Sequence, residues 1–70
     1  MKEWRLKFID VMLEEYGTVN RSAIERFFDL STPQASLDIR AYIEAAPDNM
    51  EYDRVAKCYR RTATFSRKYP

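Results

Sequence analysis

The stretch "VNRSAIERFFDLSTPQASLDIRAYIE", residues 19–44, contains two helix beginnings separated by a short break in the apolar pattern. Asn20 can cap the first helix, because its side chain accepts hydrogen bonds from the free N–H groups of the first turn. Ser31 and Gln34 fit an S-x-x-Q capping box at the start of the second helix, and Pro33 suits its first turn. Two helices joined by about three or four residues form the helix-turn-helix arrangement.

The second helix, which we expect over residues 32–46 with Pro47 as its stop, has two faces of different composition. One face is apolar and suits the interior of a small domain. The other begins with short polar side chains instead of the mixture of Glu and Lys that is common on exposed helices. Asp38 is the exception, and we interpret it as a structural acid that pairs with Arg21 or Arg26. The apolar face consists of Leu30, Ala35, Ile39 and Tyr42.

Segments on both sides of this stretch complete a winged helix. Residues 3–16 predict an amphipathic helix, and Gly17 suits the left-handed position that ends it. Residues 50–62 alternate apolar and polar side chains around a loop of about four or five residues, which predicts a β-hairpin. The short segment 18–19 can pair with that hairpin as a third strand. The apolar residues that we expect in the core from the first two helices are Leu6, Phe8, Ile9, Met12, Leu13, Tyr16, Ile24, Phe27 and Phe28.

The expected fold class is mostly α with a small β-hairpin (α+β), in one domain. It is a winged helix-turn-helix of three helices and a two- or three-stranded wing sheet, over residues 1–63. A basic C-terminal tail or linker with a loose end occupies residues 64–70, from which Phe65 folds back onto the core. The chain of 70 residues is 46% hydrophobic and contains a single glycine, which is typical of a folded, helix-rich domain.

The composition excludes several kinds of site. The chain has no His and one cysteine, Cys58, so it cannot form a disulfide framework within itself or a zinc site of the usual Cys/His kind. We expect no metal, no cofactor and a reducing, cytoplasmic location. Its apolar runs are shorter than the roughly 20 residues of a membrane span. An enzyme is disfavoured, since there is no Gly-rich phosphate loop and no nucleophile with an evident base.

The net charge of +1 conceals an asymmetry along the chain. Residues 1–53 hold six basic side chains and all eleven acidic ones, a net charge of −5. Residues 54–70 hold six basic side chains and no acidic one, a net charge of +6. Such a segment either meets a polyanion or is a solvated tail, and charge alone favours neither.

The start of the second helix of this helix-turn-helix, expected over residues 32–46, suits the major groove of double-stranded DNA. Residues near the N-terminus of a recognition helix reach base edges first, and short uncharged side chains allow close approach. Gln34 can bond adenine through two hydrogen bonds, and Leu37 or Pro33 can touch a thymine methyl group. The predicted base-reading residues are Thr32, Pro33, Gln34, Ser36, Leu37 and Arg40. The predicted phosphate contacts are Arg21, Ser22, Arg54, Lys57, Arg60 and Arg61.

Several of these residues have ordinary structural explanations that the sequence leaves open. Gln34 can instead close the capping box with Ser31, and Leu37 can lie at the edge of the core. Arg40 can be a solvated surface residue. Two tyrosines of the hairpin are better explained as a cross-strand pair than as stacking platforms for bases: Tyr52 and Tyr59.

A set of short motifs between residues 5 and 62 resembles a known family. The motifs are Phe8-Ile9-Asp10, Gly17, Val19-Asn20-Arg21-Ser22, Phe28, Leu30-Ser31, Pro33-Gln34-Ala35-Ser36, Leu37-Asp38, Glu51-Tyr52-Asp53, Ala56-Lys57 and Tyr59. In them the chain resembles the N-terminal winged helix of the WYL-domain transcriptional regulators, particularly those that accompany bacterial phage-defence loci. It resembles the DeoR-type repressors more distantly. The P-Q-A-S-x-D segment is the most specific part of the likeness.

The resemblance implies a sequence-specific repressor that dimerises on an inverted repeat in DNA. It also implies that Pro33, Gln34, Ser36 and Arg40 face the bases. Regulators of that family continue into a ligand-sensing WYL domain and a dimerisation region. We therefore expect either an excised domain or a stand-alone protein, with no small-molecule site in these residues.

A second class of function also suits a winged helix. The fold can serve as a protein-interaction module, for example in a small phage protein that blocks a host factor. Exposure of Trp4, Phe8 and Val11 on one side of the first helix would favour this hypothesis. Affinity for DNA, or copurification with a single protein partner, distinguishes the two.

Overall fold

The computed structural model describes residues 2–70, which form three helices and a small antiparallel sheet. In chain order the elements are α1 (Lys2–Tyr16), β1 (Thr18–Val19), α2 (Arg21–Phe28), α3 (Thr32–Ala45), β2 (Met50–Asp53) and β3 (Cys58–Arg61). The strands lie in the order β1-β3-β2. The predicted winged helix-turn-helix of the α+β class is confirmed, and of the two sheet sizes considered the three-stranded one is observed.

The helix boundaries follow from local chemistry. Gly17, with φ at +77°, ends α1 in the left-handed region that glycine adopts at least cost. Asn20 caps α2, since its Oδ1 accepts a hydrogen bond from the backbone N–H of Ala23 at 2.8 Å. Ser31 caps α3, since its Oγ accepts from the backbone N–H of Gln34 at 3.4 Å. These three predictions are confirmed, and the Ser31 cap sets where α3 begins after the short break that follows α2.

The core lies between the three helices and the sheet. Two predicted members are outside it, because Tyr16 is 73% exposed and Phe27 is 69% exposed. Tyr16 is the last residue of α1, where the chain turns into β1 and leaves the ring in solvent. Phe27 stacks on the half-buried Phe8 instead, with ring centroids 4.6 Å apart. Phe65 packs against the core, as predicted. The buried apolar residues are Leu6, Ile9, Leu13, Val19, Ile24, Ala35, Ile39, Tyr42 and Met50.

The C-terminal segment is packed against α1, so the expectation of a loose end is wrong. Asp10 is completely buried, and its Oδ2 accepts hydrogen bonds from the backbone N–H groups of Lys68 at 2.8 Å and Tyr69 at 2.7 Å. Arg67 Nε donates to the same oxygen at 2.8 Å. A buried carboxylate requires donors, and this segment supplies three of them. A linker role for residues 64–70, and a domain boundary at residue 63, stay predictions.

Candidate nucleic-acid interface

An open groove of about 630 Å³ separates α3 from the wing, the hairpin formed by β2 and β3. Predicted contact residues from three parts of the chain line it: Arg21 and Ser22 of α2, Ser36 and Arg40 of α3, and Lys57 of the wing. The fold thus brings residues predicted to read bases next to residues predicted to hold phosphates. The other residues that line the groove are Asn20, Ile39, Ile43, Tyr52 and Tyr59.

Next to this groove, α3 presents a ridge of exposed side chains. Pro33, Leu37 and Arg40 are exposed and lie about one helical turn apart, on the side of α3 opposite its buried face. Thr32 is exposed in the first turn. Leu37 is 57% exposed, so its interpretation as an edge of the core is wrong. Arg40 belongs both to the ridge and to the groove.

Gln34 lies on the flank of this ridge that faces α1, and its side chain does not return to Ser31. Its Nε2 donates to Asp38 Oδ1 at 3.1 Å, so only the Ser31 half of the capping box forms. Asp38 is a structural acid, as predicted, with 1% of its surface exposed. The predicted partners, Arg21 and Arg26, are wrong. Asp38 faces α1, where Arg5 Nε donates to its Oδ2 at 2.6 Å.

Arg21 joins the start of α2 to the start of α3. Its Nη1 donates to Ser36 Oγ at 3.2 Å, and its Nε lies 3.9 Å from a Glu25 carboxylate oxygen. Arg21 is exposed, so its remaining donors face the groove or the solvent. Ser22 follows in the first turn of α2, where backbone N–H groups and the helix dipole favour an anion.

The wing carries a tyrosine pair and a basic tip. Tyr52 and Tyr59 are paired across β2 and β3 with ring centroids 5.0 Å apart, so the cross-strand interpretation is confirmed. Four residues connect the strands, as the sequence predicts, and Lys57 has a left-handed backbone with φ at 57°. Arg54 is exposed in the same turn. The tip therefore presents two exposed cations, of which Lys57 lines the groove beside α3.

Two residues of β3 that the sequence predicts as phosphate contacts bond to other groups of the protein. Arg60 lies on the sheet face opposite the tyrosine pair, because side chains alternate along a strand, and its Nε is 2.5 Å from an Asp53 carboxylate oxygen. The pKa of the Asp53 carboxyl is lowered. The largest cause is its hydrogen bond from the Arg60 guanidinium, and the next is a hydrogen bond from a backbone N–H group. Arg61 donates to the backbone carbonyl of Glu14 at 2.9 Å. Neither lines the groove, and their contact with phosphate stays a prediction.

A comparison with known proteins identifies the domain. Residues 2–69 match the family described as BrxR transcriptional regulator winged helix-turn-helix domain. The chain belongs to this family.

The relatives of this BrxR-type domain include longer proteins named DNA-binding transcriptional repressor CapW. The protein from Escherichia coli (strain KTE188) is 48% identical over 68 residues, which cover 97% of this chain and 23% of the relative. The protein from Pseudomonas aeruginosa is 48% identical over 69 residues, which cover 99% of this chain and 23% of the relative. The protein from Stenotrophomonas maltophilia is 48% identical over 61 residues, 87% of this chain and 20% of the relative. This chain thus spans less than a quarter of each relative.

The predicted resemblance to the N-terminal winged helix of a transcriptional regulator is confirmed by this family match. The match concerns the winged helix alone. A WYL domain or a dimerisation region beyond it stays a prediction.

Sequence reasoning missed three apolar residues of the BrxR-type groove. Ile43 is 38% exposed on the groove side of α3. It lies seven residues after Ser36, so helical spacing places the two on one face, and that signal could have found it. The sequence predicts Tyr52 and Tyr59 only as a pair, yet in the structure both also line the wing side of the groove. The lining of the groove therefore combines apolar side chains with the polar and basic ones that the sequence predicts.

Two further findings concern sites of other kinds. Within residues 2–70, no group of three or more His, Cys, Asp or Glu side chains is placed to hold a metal ion. No helix in that described part of the chain is long and apolar enough to cross a membrane.

Proposed function

We propose that this BrxR-type domain binds double-stranded DNA with sequence specificity and acts as a transcriptional repressor. The observation that carries the proposal is the exposed ridge of α3 beside the basic tip of the wing. Relatives that are 48% identical are named DNA-binding transcriptional repressors. A regulator of this kind works in the cytoplasm, where bacterial DNA is, and no catalytic role is part of the proposal.

In this proposal α3 enters the major groove with its N-terminal half towards the bases. Pro33 and Leu37 offer apolar contact to thymine methyl groups, and Gln34 offers hydrogen bonds to a base edge. Arg40 can reach either a guanine edge or a phosphate. Thr32 and Ser36 are short enough to let the helix approach closely.

The phosphate backbone would be held on both sides of α3. Arg21 and Ser22 offer a guanidinium, a hydroxyl and backbone N–H groups at the start of α2. Arg54 and Lys57 offer two cations at the wing tip. We further propose that two copies bind an inverted repeat, because a two-fold dimer requires a matching pair of half-sites.

Lys57→Ala is expected to weaken binding to all DNA sequences similarly and to reduce the slope of log K against log salt concentration by about one. In the unaltered domain, Lys57 would neutralise one phosphate and so release about one counterion from the duplex. Fluorescence anisotropy at several salt concentrations measures this slope. Lys68→Ala is the matched control, because Lys68 is exposed in the C-terminal segment and its substitution removes the same charge while the backbone bond to Asp10 stays. If Lys57→Ala left the slope unchanged and Lys68→Ala reduced it, the contact would belong to the tail instead.

Selection from random duplex DNA tests the proposal directly. The domain is expected to enrich one motif, and a palindromic motif supports two copies on an inverted repeat. Enrichment of no motif, together with no binding to DNA from its own promoter region, would exclude sequence-specific binding.

A protein-interaction module is the second candidate, and an aromatic surface favours it. Trp4 is 61% exposed on α1, and Phe27 is 69% exposed where it stacks on Phe8. Phe8 and Val11 are only half-buried, so they contribute in part. Copurification of one protein partner, without affinity for DNA, would select this function.

A further inference from the structure

A chain of hydrogen bonds runs from α1 to the amide of Gln34 at the rim of α3. Arg5 Nε donates to Asp38 Oδ2 at 2.6 Å, and Gln34 Nε2 donates to Asp38 Oδ1 at 3.1 Å. The Asp38 side chain is 1% exposed and the Arg5 side chain 16% exposed. Gln34 itself is half-buried and borders a shallow depression that it shares with Leu37 and Arg40. The middle of the chain, Asp38, is thus buried, and Gln34 at one end reaches the surface that faces DNA in the proposed function.

The chemistry of Asp38 fixes which way the Gln34 amide points. An ionised carboxylate only accepts hydrogen bonds, and a guanidinium only donates them. Gln34 must therefore turn its NH2 group towards Asp38, which leaves Oε1 as the acceptor on the exposed side. An unrestrained glutamine can present either atom outward.

We propose that Asp38, held by Arg5, is a positioning residue that sets the base preference of Gln34. This rests on the proposed DNA binding. With Oε1 outward, Gln34 favours a base that offers an amino donor in the major groove, which is adenine through N6 or cytosine through N4. The second N–H of Nε2 can reach adenine N7, so adenine is the stronger match. Neither Arg5 nor Asp38 needs to touch DNA.

The variant Asp38→Asn separates this role from simple support of the fold. The new side chain must turn its oxygen towards Arg5, which only donates, and its NH2 group then faces Gln34. Gln34 is expected to turn its amide over and present Nε2 outward as a donor. The preferred base at that position should change from adenine or cytosine to guanine or thymine, which offer acceptors.

The test is selection from random duplex DNA by four proteins: the unaltered domain, Asp38→Asn, Gln34→Ala and the double variant. Gln34→Ala is expected to lose the preference at one position, and Asp38→Asn to change the preference at that same position by at least about fivefold. In the double variant, Asp38→Asn should add no further change there. Circular dichroism melts verify that each variant is folded.

The outcomes distinguish this inference from the proposed function. If the unaltered domain selects no motif, sequence-specific binding fails and the inference fails with it. If a motif is selected but Asp38→Asn leaves every base preference unchanged, or alters a position that Gln34→Ala leaves alone, only the inference is overturned.

Nuclear magnetic resonance gives a second measurement that needs no variant to fold. Gln34 is the single glutamine of the chain, so its side-chain NH2 group gives one assignable pair of signals. Every primary amide gives two separate proton signals, because rotation about its C–N bond is slow. In the unaltered domain we expect one of the two Gln34 protons to be shifted downfield and to exchange slowly with water, because Asp38 accepts a hydrogen bond from it. Shifts and exchange rates equal to those of a glutamine in a short unstructured peptide would overturn the inference.

Discussion

Asp10→Ala is expected to leave only about half of the molecules folded at room temperature. Asp10 is completely buried and accepts four hydrogen bonds, from Tyr42, Arg67 and the backbone N–H groups of Lys68 and Tyr69. The Tyr42 hydroxyl is the donor in its bond to Asp10, and its pKa is raised, first by burial and next by that hydrogen bond. Alanine would leave these donors facing a cavity without an acceptor.

The size of this effect follows from the balance of stability in so small a domain. Removing one partner of a buried ionic pair costs about 3–5 kcal/mol. A single core of fewer than about 80 residues rarely supplies more than about 3–5 kcal/mol of net stability. The two figures are equal within their spread, so the free energy of unfolding should fall to near zero and the folded population from nearly all molecules to about half. Urea titration followed by far-ultraviolet circular dichroism measures the free energy of unfolding.

Glu14→Ala is the matched control for Asp10→Ala. Glu14 also lies on α1 and its Oε1 also accepts from Arg67, at 2.7 Å. Its side chain is 44% exposed, however, and an exposed ion pair contributes only about 0–1 kcal/mol. If both variants lost similar stability, the buried network around Asp10 would not anchor the fold.

The same network shows why sequence predicts some parts of this fold and not others. The capping residues Asn20 and Ser31 act on N–H groups three residues away, so their signals are local and both predictions hold. Asp10 looks in the sequence like any acid on a helix surface. Its partners Arg67, Lys68 and Tyr69 lie 57 to 59 residues further along the chain, and two of them bind through backbone N–H groups that no sequence pattern marks.

A similar limit applies to the position of side chains around a helix. Periodicity assigns Tyr16 and Phe27 to apolar faces, but it does not show how far the neighbouring elements extend over those faces. Tyr16 lies at the end of its helix, and Phe27 meets the aromatic ring of Phe8 at the surface. Both rings therefore stay largely in solvent.

In the candidate site, too, the residues placed by local spacing could be predicted from the sequence, and those placed by the pairing of distant segments could not. Residues of α3 could be assigned to its outer face because helical spacing determines that face, and Leu37 and Arg40 are exposed as expected. Which basic residues of the wing belong to the site is harder to predict, because the register of the hairpin decides which of them face α3. That register places Arg60 on the sheet face that does not carry the tyrosine pair. There Arg60 forms an ion pair with Asp53 within the sheet.

Leu37→Glu is expected to reduce affinity for the selected operator roughly 30- to 150-fold, or by about 2–3 kcal/mol, because a like charge placed against a charged partner costs several kcal/mol. Leu37 is 57% exposed at the centre of the α3 ridge, so the substitution should leave the fold intact. A carboxylate there would face the phosphates and displace an apolar contact with base edges. Fluorescence anisotropy with labelled operator measures the loss, and a melting curve verifies the fold.

Tyr16→Glu places the same charge on another exposed apolar residue and serves as the control. Arg5 contacts Asp38, so the N-terminal part of α1 lies near the start of α3. Tyr16 is eleven residues further along α1, roughly 16 Å away at the rise of an α-helix. Its substitution should change operator affinity only slightly. If Leu37→Glu bound operator as well as Tyr16→Glu does, α3 could not be the element that enters the groove, and the aromatic surface around Trp4 and Phe27 would become the stronger candidate for function.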